Sequence, residues 1–113
     1  EVFWKDLFPH TLKNLIVTTD DGSYGVKGFT VSVLPEVFKH NTIKQTIVCG
    51  PAIMMKKTAE ISKEAKVPCE VSLEKRMGCG TGTCMACVCD KVSGGHYKVC
   101  KDGPVFNAEE VIL

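Results

Sequence analysis

Apolar positions come in short runs along this chain, and the period of each run changes where one element gives way to the next. Phe3, Trp4, Leu7 and Phe8 fall at offsets that share one helical face, with Pro9 limiting the helix. Residues 1–14 therefore predict a helix whose aromatic face packs into the core. Leu15–Thr19 is a short apolar, partly β-branched run that predicts a strand, ending in the turn-forming Asp20-Asp21-Gly22-Ser23-Tyr24-Gly25. Over Phe29–His40, Val31, Leu34, Val37 and Phe38 recur at helical offsets, and Pro35 predicts a short or kinked helix. Thr46–Cys49 predicts a second strand, closed by Gly50-Pro51. Ala52–Lys66 is the clearest helix, with Met54, Thr58, Ile61 and Ala65 spaced four, three and four apart. Pro51 suits its first turn, where a missing N–H costs nothing.

Val67-Pro68 ends that helix, and Cys69–Leu73 alternates as a third strand that leads into Glu74-Lys75-Arg76-Met77. Further on, Ala86–Val92 and His96–Cys100 predict two short strands, joined by Ser93-Gly94-Gly95 in a tight hairpin. Strand, helix and strand in alternation predict an α/β fold, with a parallel sheet and crossover helices over residues 1–73 and a small β-rich module over 74–113.

Composition narrows the function classes. At 113 residues and 44% hydrophobic, the chain is the size of one domain and can bury a core. Its formal net charge of +1 comes from interleaved signs, so it carries no electrostatic footprint for nucleic acid or an anionic membrane. No apolar run approaches the length of a membrane span, and no signal-peptide pattern opens the chain. Seven cysteines would suit a secreted disulfide scaffold, but the number is odd and four fall into one motif, which predicts a reducing cytoplasm. The first residue is Glu1 rather than Met, and a fragment of a longer protein is expected.

That motif runs Gly78-Cys79-Gly80-Thr81-Gly82-Thr83-Cys84-Met85-Ala86-Cys87 and is completed by Cys100, giving C-x4-C-x2-C-x12-C. Its first three cysteines have the plant-type ferredoxin spacing for a 2Fe-2S cluster, in which each iron takes two thiolates. The glycines fit, because a loop wrapped around a cluster needs unusual backbone angles and amides close to sulfur. The predicted hairpin folds Cys100 back alongside Cys87. A structural zinc site is the alternative, but zinc favours close C-x2-C pairs at both ends and only one is present. Cys89 shares a strand face with Cys87, so it either substitutes as a ligand or lies buried beside it, and the register favours Cys87.

Two other segments carry candidate chemistry. The Asp20–Asp21 loop reads by itself as a surface turn, although ligands in open α/β sheets lie outside the carboxyl ends of strands, where this loop falls. Cys49-Gly50-Pro51 reads either as a routine strand-to-helix turn or as a site where a helix N-terminus faces an anion or dipole. His10, His40 and His96 are isolated from one another and are expected at the surface. No Ser/His/Asp or paired-carboxylate arrangement is visible.

Three segments together resemble one family. Thr18–Gly25, then Cys49-Gly50-Pro51 with Met54-Met55, then Val71 to Gly80 and on through Val99–Phe106, look like the electron-transfer subunit of two-subunit, NAD-linked dihydroorotate dehydrogenases, within the ferredoxin reductase superfamily. The resemblance implies the second half of a nucleotide-binding α/β domain followed by a 2Fe-2S module, as a C-terminal fragment lacking the flavin-binding barrel. It makes Cys79, Cys84, Cys87 and Cys100 the cluster ligands, places Cys49, Gly50 and Pro51 near the nicotinamide and flavin ring, and turns Asp20 and Asp21 towards the nucleotide.

The resemblance further implies an electron relay in pyrimidine biosynthesis. Dihydroorotate is oxidised in a separate FMN-containing catalytic subunit, and electrons pass singly through the 2Fe-2S cluster to FAD and leave as hydride to NAD. A heterotetramer of two catalytic and two electron-transfer subunits is expected. Related NADPH-dependent ferredoxin or sulfide reductases place an Asp among the cluster ligands where Cys79 stands here. The ferredoxin-like module of molybdenum hydroxylases shares the cysteine loop without the Cys-Gly-Pro strand end. With the superfamily's strand order 3-2-1-4-5, the strands at 15–19 and 46–49 would stand about 14 Å apart, three spacings of about 4.8 Å. Otherwise the fragment repairs its sheet and pairs those strands directly.

Overall fold

In a computed structural model of the protein, residues 3, 4, 6–8 and 12–113 are described. Two two-residue strands, β1 (Thr18–Thr19) and β2 (Val26–Lys27), pair in parallel. Helix α1 (Thr30–His40) follows and runs through Pro35, then strand β3 (Thr46–Cys49) and helix α2 (Ala52–Glu64). Strand β4 (Cys69–Ser72), the hairpin β5 (Val88–Asp90) and β6 (His96–Lys98), the helical turn α3 (Val99–Asp102) and strand β7 (Val105–Asn107) complete the order. Among the described residues the fold is mixed α/β, built on small sheets.

The main sheet has the order β3-β4-β7. β3 and β4 are parallel, with Thr46 opposite Cys69 and Cys49 opposite Ser72, and α2 makes the crossover between them. β7 pairs antiparallel on the other side of β4, with Phe106 opposite Val71. β4 is thus the central strand and alternates buried and half-buried positions, as an element covered more on one face requires. Val71 is fully buried, and around it lie Val48, Met55, Leu73, Cys87, Cys89, Val99, Phe106 and Val111. This one core draws on both sides of residues 73 and 74, and an isolated bridge between Lys91 and Val111 ties the hairpin to the last residues.

Three sequence expectations are corrected. Among the described residues before Leu15 there is no α-helix, and Phe3, Trp4, Leu7 and Phe8 are exposed, Trp4 to 73%. An apolar stripe stabilises a helix only when it is buried against another element, and these side chains stay largely in solvent. Pro9 and His10 lie outside the described residues. Cys100 sits in the α3 turn rather than on a strand, because Asp102 Oδ2 accepts the Lys98 N–H at 2.7 Å and the chain closes a helical turn there. The strand at 15–19 shortens to Thr18–Thr19 and pairs with β2, not with β3. Within the described strands, the edge of β3 away from β4 is open, and Ile47 on that strand is exposed.

Candidate metal centre

The loop after β4 gathers sulfurs and amides. Gly80 and Gly82 take positive φ of 70° and 86°, which lets the chain between them double back without a Cβ penalty. Doubling back brings three backbone donors onto one acceptor: the N–H groups of Thr81, Thr83 and Cys84 donate to Cys79 Sγ at 3.4, 3.3 and 3.4 Å. Cys79 N–H donates in turn to Cys84 Sγ at 3.4 Å. At Gly78 any Cβ would lie 2.8 Å from Cys84 Sγ, so glycine is what admits that sulfur.

The hairpin forms the second pair. Gly94 and Gly95 have φ of 92° and 80°, as a tight reversal needs, and β5 and β6 run back so that Val88 faces Lys98. One residue further, Val99 N–H donates to Cys87 O at 3.0 Å and Cys100 N–H donates to Cys87 Sγ at 3.4 Å. The predicted approach of Cys100 to Cys87 is therefore present, made by a turn instead of a strand.

Electrostatics separates the sulfurs. Cys79 is pulled down to about 4 by the Thr81 hydroxyl first and then by the converging backbone N–H groups. Cys87 is lowered, chiefly by the Cys100 amide, whereas Cys100 is raised by bonding to the Cys87 sulfur and by burial. The Cys89 thiol is only 5% exposed and is pushed up by burial, with Lys75 opposing weakly. Thiolates are the form that binds iron, and amides aimed at sulfur stabilise them. Cys79 and Cys84 are exposed, Cys100 is half-buried and Cys87 is 3% exposed, so the loop pair faces solvent and the hairpin pair faces the core.

The donor set fits a two-iron cluster. Among the described residues no three His, Cys, Asp or Glu side chains converge as they would around one ion. Backbone N–H groups link the sulfurs in two pairs, Cys79 with Cys84 and Cys87 with Cys100, and these four residues would hold a cluster whose irons take two thiolates each. The amide cradle and the room at Gly78 suit sulfur ligands carrying negative charge.

The other predicted residues lie elsewhere on the sheet. Cys49 is exposed at the carboxyl end of β3, opposite Ser72, from which the cluster loop departs. Pro51 caps α2, its carbonyl accepting the N–H groups of Met54 and Met55 at 2.9 and 3.0 Å. A side chain at Gly50 would collide with Met54 Cε. Asp21 Oδ1 accepts the Ser23 N–H at 2.9 Å, which lowers its pKa and closes the turn on itself. Asp20 is exposed on the same turn. The Asp21 hydrogen bond is local to that turn. Sequence reasoning passed over Thr81 and Thr83, whose hydroxyls meet at 2.8 Å beside Cys79; their alternation with Gly80 and Gly82 was the available signal.

Comparison with known proteins agrees with this geometry. Residues 74–112 match the family described as the iron-sulfur cluster binding domain of dihydroorotate dehydrogenase B. The electron transfer subunit of dihydroorotate dehydrogenase B (NAD(+)) from Clostridium perfringens is 41% identical over 98% of this chain and 43% of its own length. That of Caldanaerobacter subterraneus subsp. tengcongensis is 46% identical over 90% of this chain and 42% of its own. A solved NADH-dependent reduced ferredoxin-NADP oxidoreductase, studied for flavin-based electron bifurcation, is 40% identical with a TM-score of 0.76, covering 87% of this chain and 35% of that one. The chain spans about two-fifths of the length of the curated relatives it matches. Residues 74–112 thus belong to the iron-sulfur cluster binding domain family of dihydroorotate dehydrogenase B, on a chain related along its length to the electron transfer subunits of that enzyme.

Proposed function

We propose that this chain is the cluster-bearing part of an electron relay that carries electrons from dihydroorotate oxidation to NAD. The observation that carries this reading is the pairing of four cysteine sulfurs around an amide-lined loop, Cys79 with Cys84 and Cys87 with Cys100. A bound 2Fe-2S cluster supplies one-electron transfer, which links centres that each exchange two. The protein residues hold the four thiolates, keep Cys87 dry, leave Cys79 and Cys84 towards solvent, and aim backbone dipoles at the sulfur that gains charge.

Residues 1–73 are the second half of a ferredoxin-reductase-type nucleotide domain in this reading, and 74–113 are the cluster module. The open edge of β3 fits the strand order 3-2-1-4-5, in which the first strand lies beside the fourth. Cys49, Gly50 and Pro51 then stand by the nicotinamide and FAD, and Asp20 and Asp21 by the nucleotide. The partner is an FMN-containing catalytic subunit, in a heterotetramer of two copies of each, in the cytoplasm. No helix among the described residues is long and apolar enough to cross a membrane.

A second reading, a reductase exchanging electrons between ferredoxin and NADP, has the solved relative in its favour. Four cysteine ligands, with Cys79 where that group carries Asp, favour the first. The test is anaerobic purification of the full-length subunit, followed by iron, sulfide and zinc analysis and visible spectra before and after dithionite. Two irons and two sulfides that bleach on reduction are expected. One zinc with no visible absorbance would overturn the relay.

A further inference from the structure

At the amino end of β4, away from the cysteine loop, the surface folds into a cavity of about 870 Å³. Cys69, the first residue of β4, lines it, whereas Cys49 and Ser72 leave the sheet at the carboxyl ends of their strands. One wall is apolar and comes from the end of the hairpin and the last residues. Val92 N–H donates to Glu110 O and Ile112 N–H to Asp90 O, both at 2.9 Å, and the Val92 and Ile112 side chains stay 62% and 60% exposed on the cavity. The other wall is charged. Lys56 and Lys63 stand two turns apart along α2, and Ala59 between them is too small to fill the gap. Lys66 joins them from just past the helix with a φ of 57°, a left-handed position where glycine is usual at a helix end and a lysine is strained. Glu60 and Glu109 line the same cavity, and Glu109 meets Lys63 at 4.0 Å, but Lys56 and Lys66 make no ion pair among the described residues. Three ammonium groups against two carboxylates leave one positive charge over.

We propose that this cavity binds a small amphiphilic anion, its apolar body on Val92 and Ile112 and its one acidic head group towards Lys56, Lys63 and Lys66. The volume is that of a small-molecule site, which is concave, largely apolar and oriented by a few polar groups. A single anionic head group balances the excess charge of the lysine wall. Its apolar body covers two aliphatic side chains that water otherwise wets, which is the favourable direction for apolar surface. The strained backbone at Lys66 fits a residue kept for its charge, because glycine at the same position would relieve the strain and remove the ammonium group. The site is independent of the electron relay: it uses none of the four cluster cysteines and stands whether or not the chain loads iron.

The test is equilibrium dialysis of the full-length subunit, in saturating NAD and FAD, against anilinonaphthalene sulfonate and against phenylnaphthylamine, which has the same rings and no charge. Saturable binding of the sulfonate is expected, about tenfold tighter than that of the amine, with the difference shrinking as salt is added. Lys66→Gly should weaken the sulfonate about threefold and leave the amine unchanged. Its thermal transition should stay at or above the original place, since glycine suits a left-handed helix end, and weaker binding is then not a folding defect. Ala59→Leu fills the space between the lysines and should weaken both probes; if that variant does not fold, Lys66→Gly decides. Absence of saturable sulfonate binding, equal affinity for the two probes, or unaltered sulfonate binding in Lys66→Gly would overturn the proposal.

Discussion

Cys79 and Cys84 each donate a backbone N–H to the other's sulfur, at 3.4 Å in both directions. The loop is thereby closed on itself with both thiolates facing outward together. This reciprocity depends on the residue before it, since a methyl group at position 78 would lie 2.8 Å from Cys84 Sγ. Gly78→Ala is expected to push that sulfur out of the pair and cut iron and sulfide per chain by more than half. The thermal transition of the apo form should stay near its original place, because Gly78 is exposed and not at a positive φ. Metal analysis and calorimetry of the two proteins check both statements.

Cys87 and Cys89 are two residues apart, both buried, and only Cys87 receives an amide from Cys100. Cys89→Ala is expected to retain two irons and to cost about 1 kcal/mol in stability, as for loss of a small buried group. Cys87→Ala should lose the visible spectrum. A colourless Cys89→Ala protein would exchange the roles of the two residues.

Val71 is fully buried between Val48 and Phe106 on the central strand. Val71→Ala removes two methyl groups' worth of contact and leaves a cavity, so a loss of about 2–3 kcal/mol is expected in denaturant unfolding. Because Leu73 leads from that strand to the loop, iron retention during mild heating should fall with it.

Asp21 separates turn formation from ligand contact. Its carboxylate, held below 3.8 by the Ser23 N–H, is preferred in the folded state, so its contribution is complete above that value and is lost as pH falls below it. Asp21→Asn keeps an oxygen for the turn but not the charge, so a small fall in melting temperature that does not vary with pH is expected between pH 5 and 8. If the loop also faces the nucleotide, NAD affinity of the full-length subunit falls in the same variant; unchanged affinity confines Asp21 to the turn.

Cys49 is exposed at a strand end, so Cys49→Ala should fold and load iron as before. Reduction of the full-length subunit by NADH, followed by stopped-flow absorbance, should slow while reduction by dithionite does not. Equal rates would remove Cys49 from the nicotinamide site.

Much of this was legible in the sequence, because local chemistry decided it. The α2 helix, β3 and β4 follow from periodicities of 3.6 and 2 bounded by Gly50-Pro51 and Val67-Pro68. The cysteine spacing pointed to the loop, and Gly94-Gly95 to the reversal that returns Cys100. What escaped was set by partners distant in sequence. β7 has only three residues, and its place beside β4 depends on Phe106 finding Val71. The aromatic stripe at Phe3–Phe8 satisfied a helical spacing, but spacing states which side chains share a face and not what they face. The Thr81–Thr83 contact needed the backbone angles at Gly80 and Gly82 to be known first.

The parallel register that sets Cys49 opposite Ser72 acts as a ruler. Strand neighbours lie about 4.8 Å apart and cannot slip without turning their side chains to the opposite face. One exit from that edge leads to the exposed Cys49 and the start of α2, and the next leads to the sulfur loop. With β7 clamped on the far side of β4, neither exit can drift relative to the other without breaking the same four-residue strand. In the relay proposed above, an electron crossing between those two exits would travel a span fixed by the hydrogen bonds of the sheet.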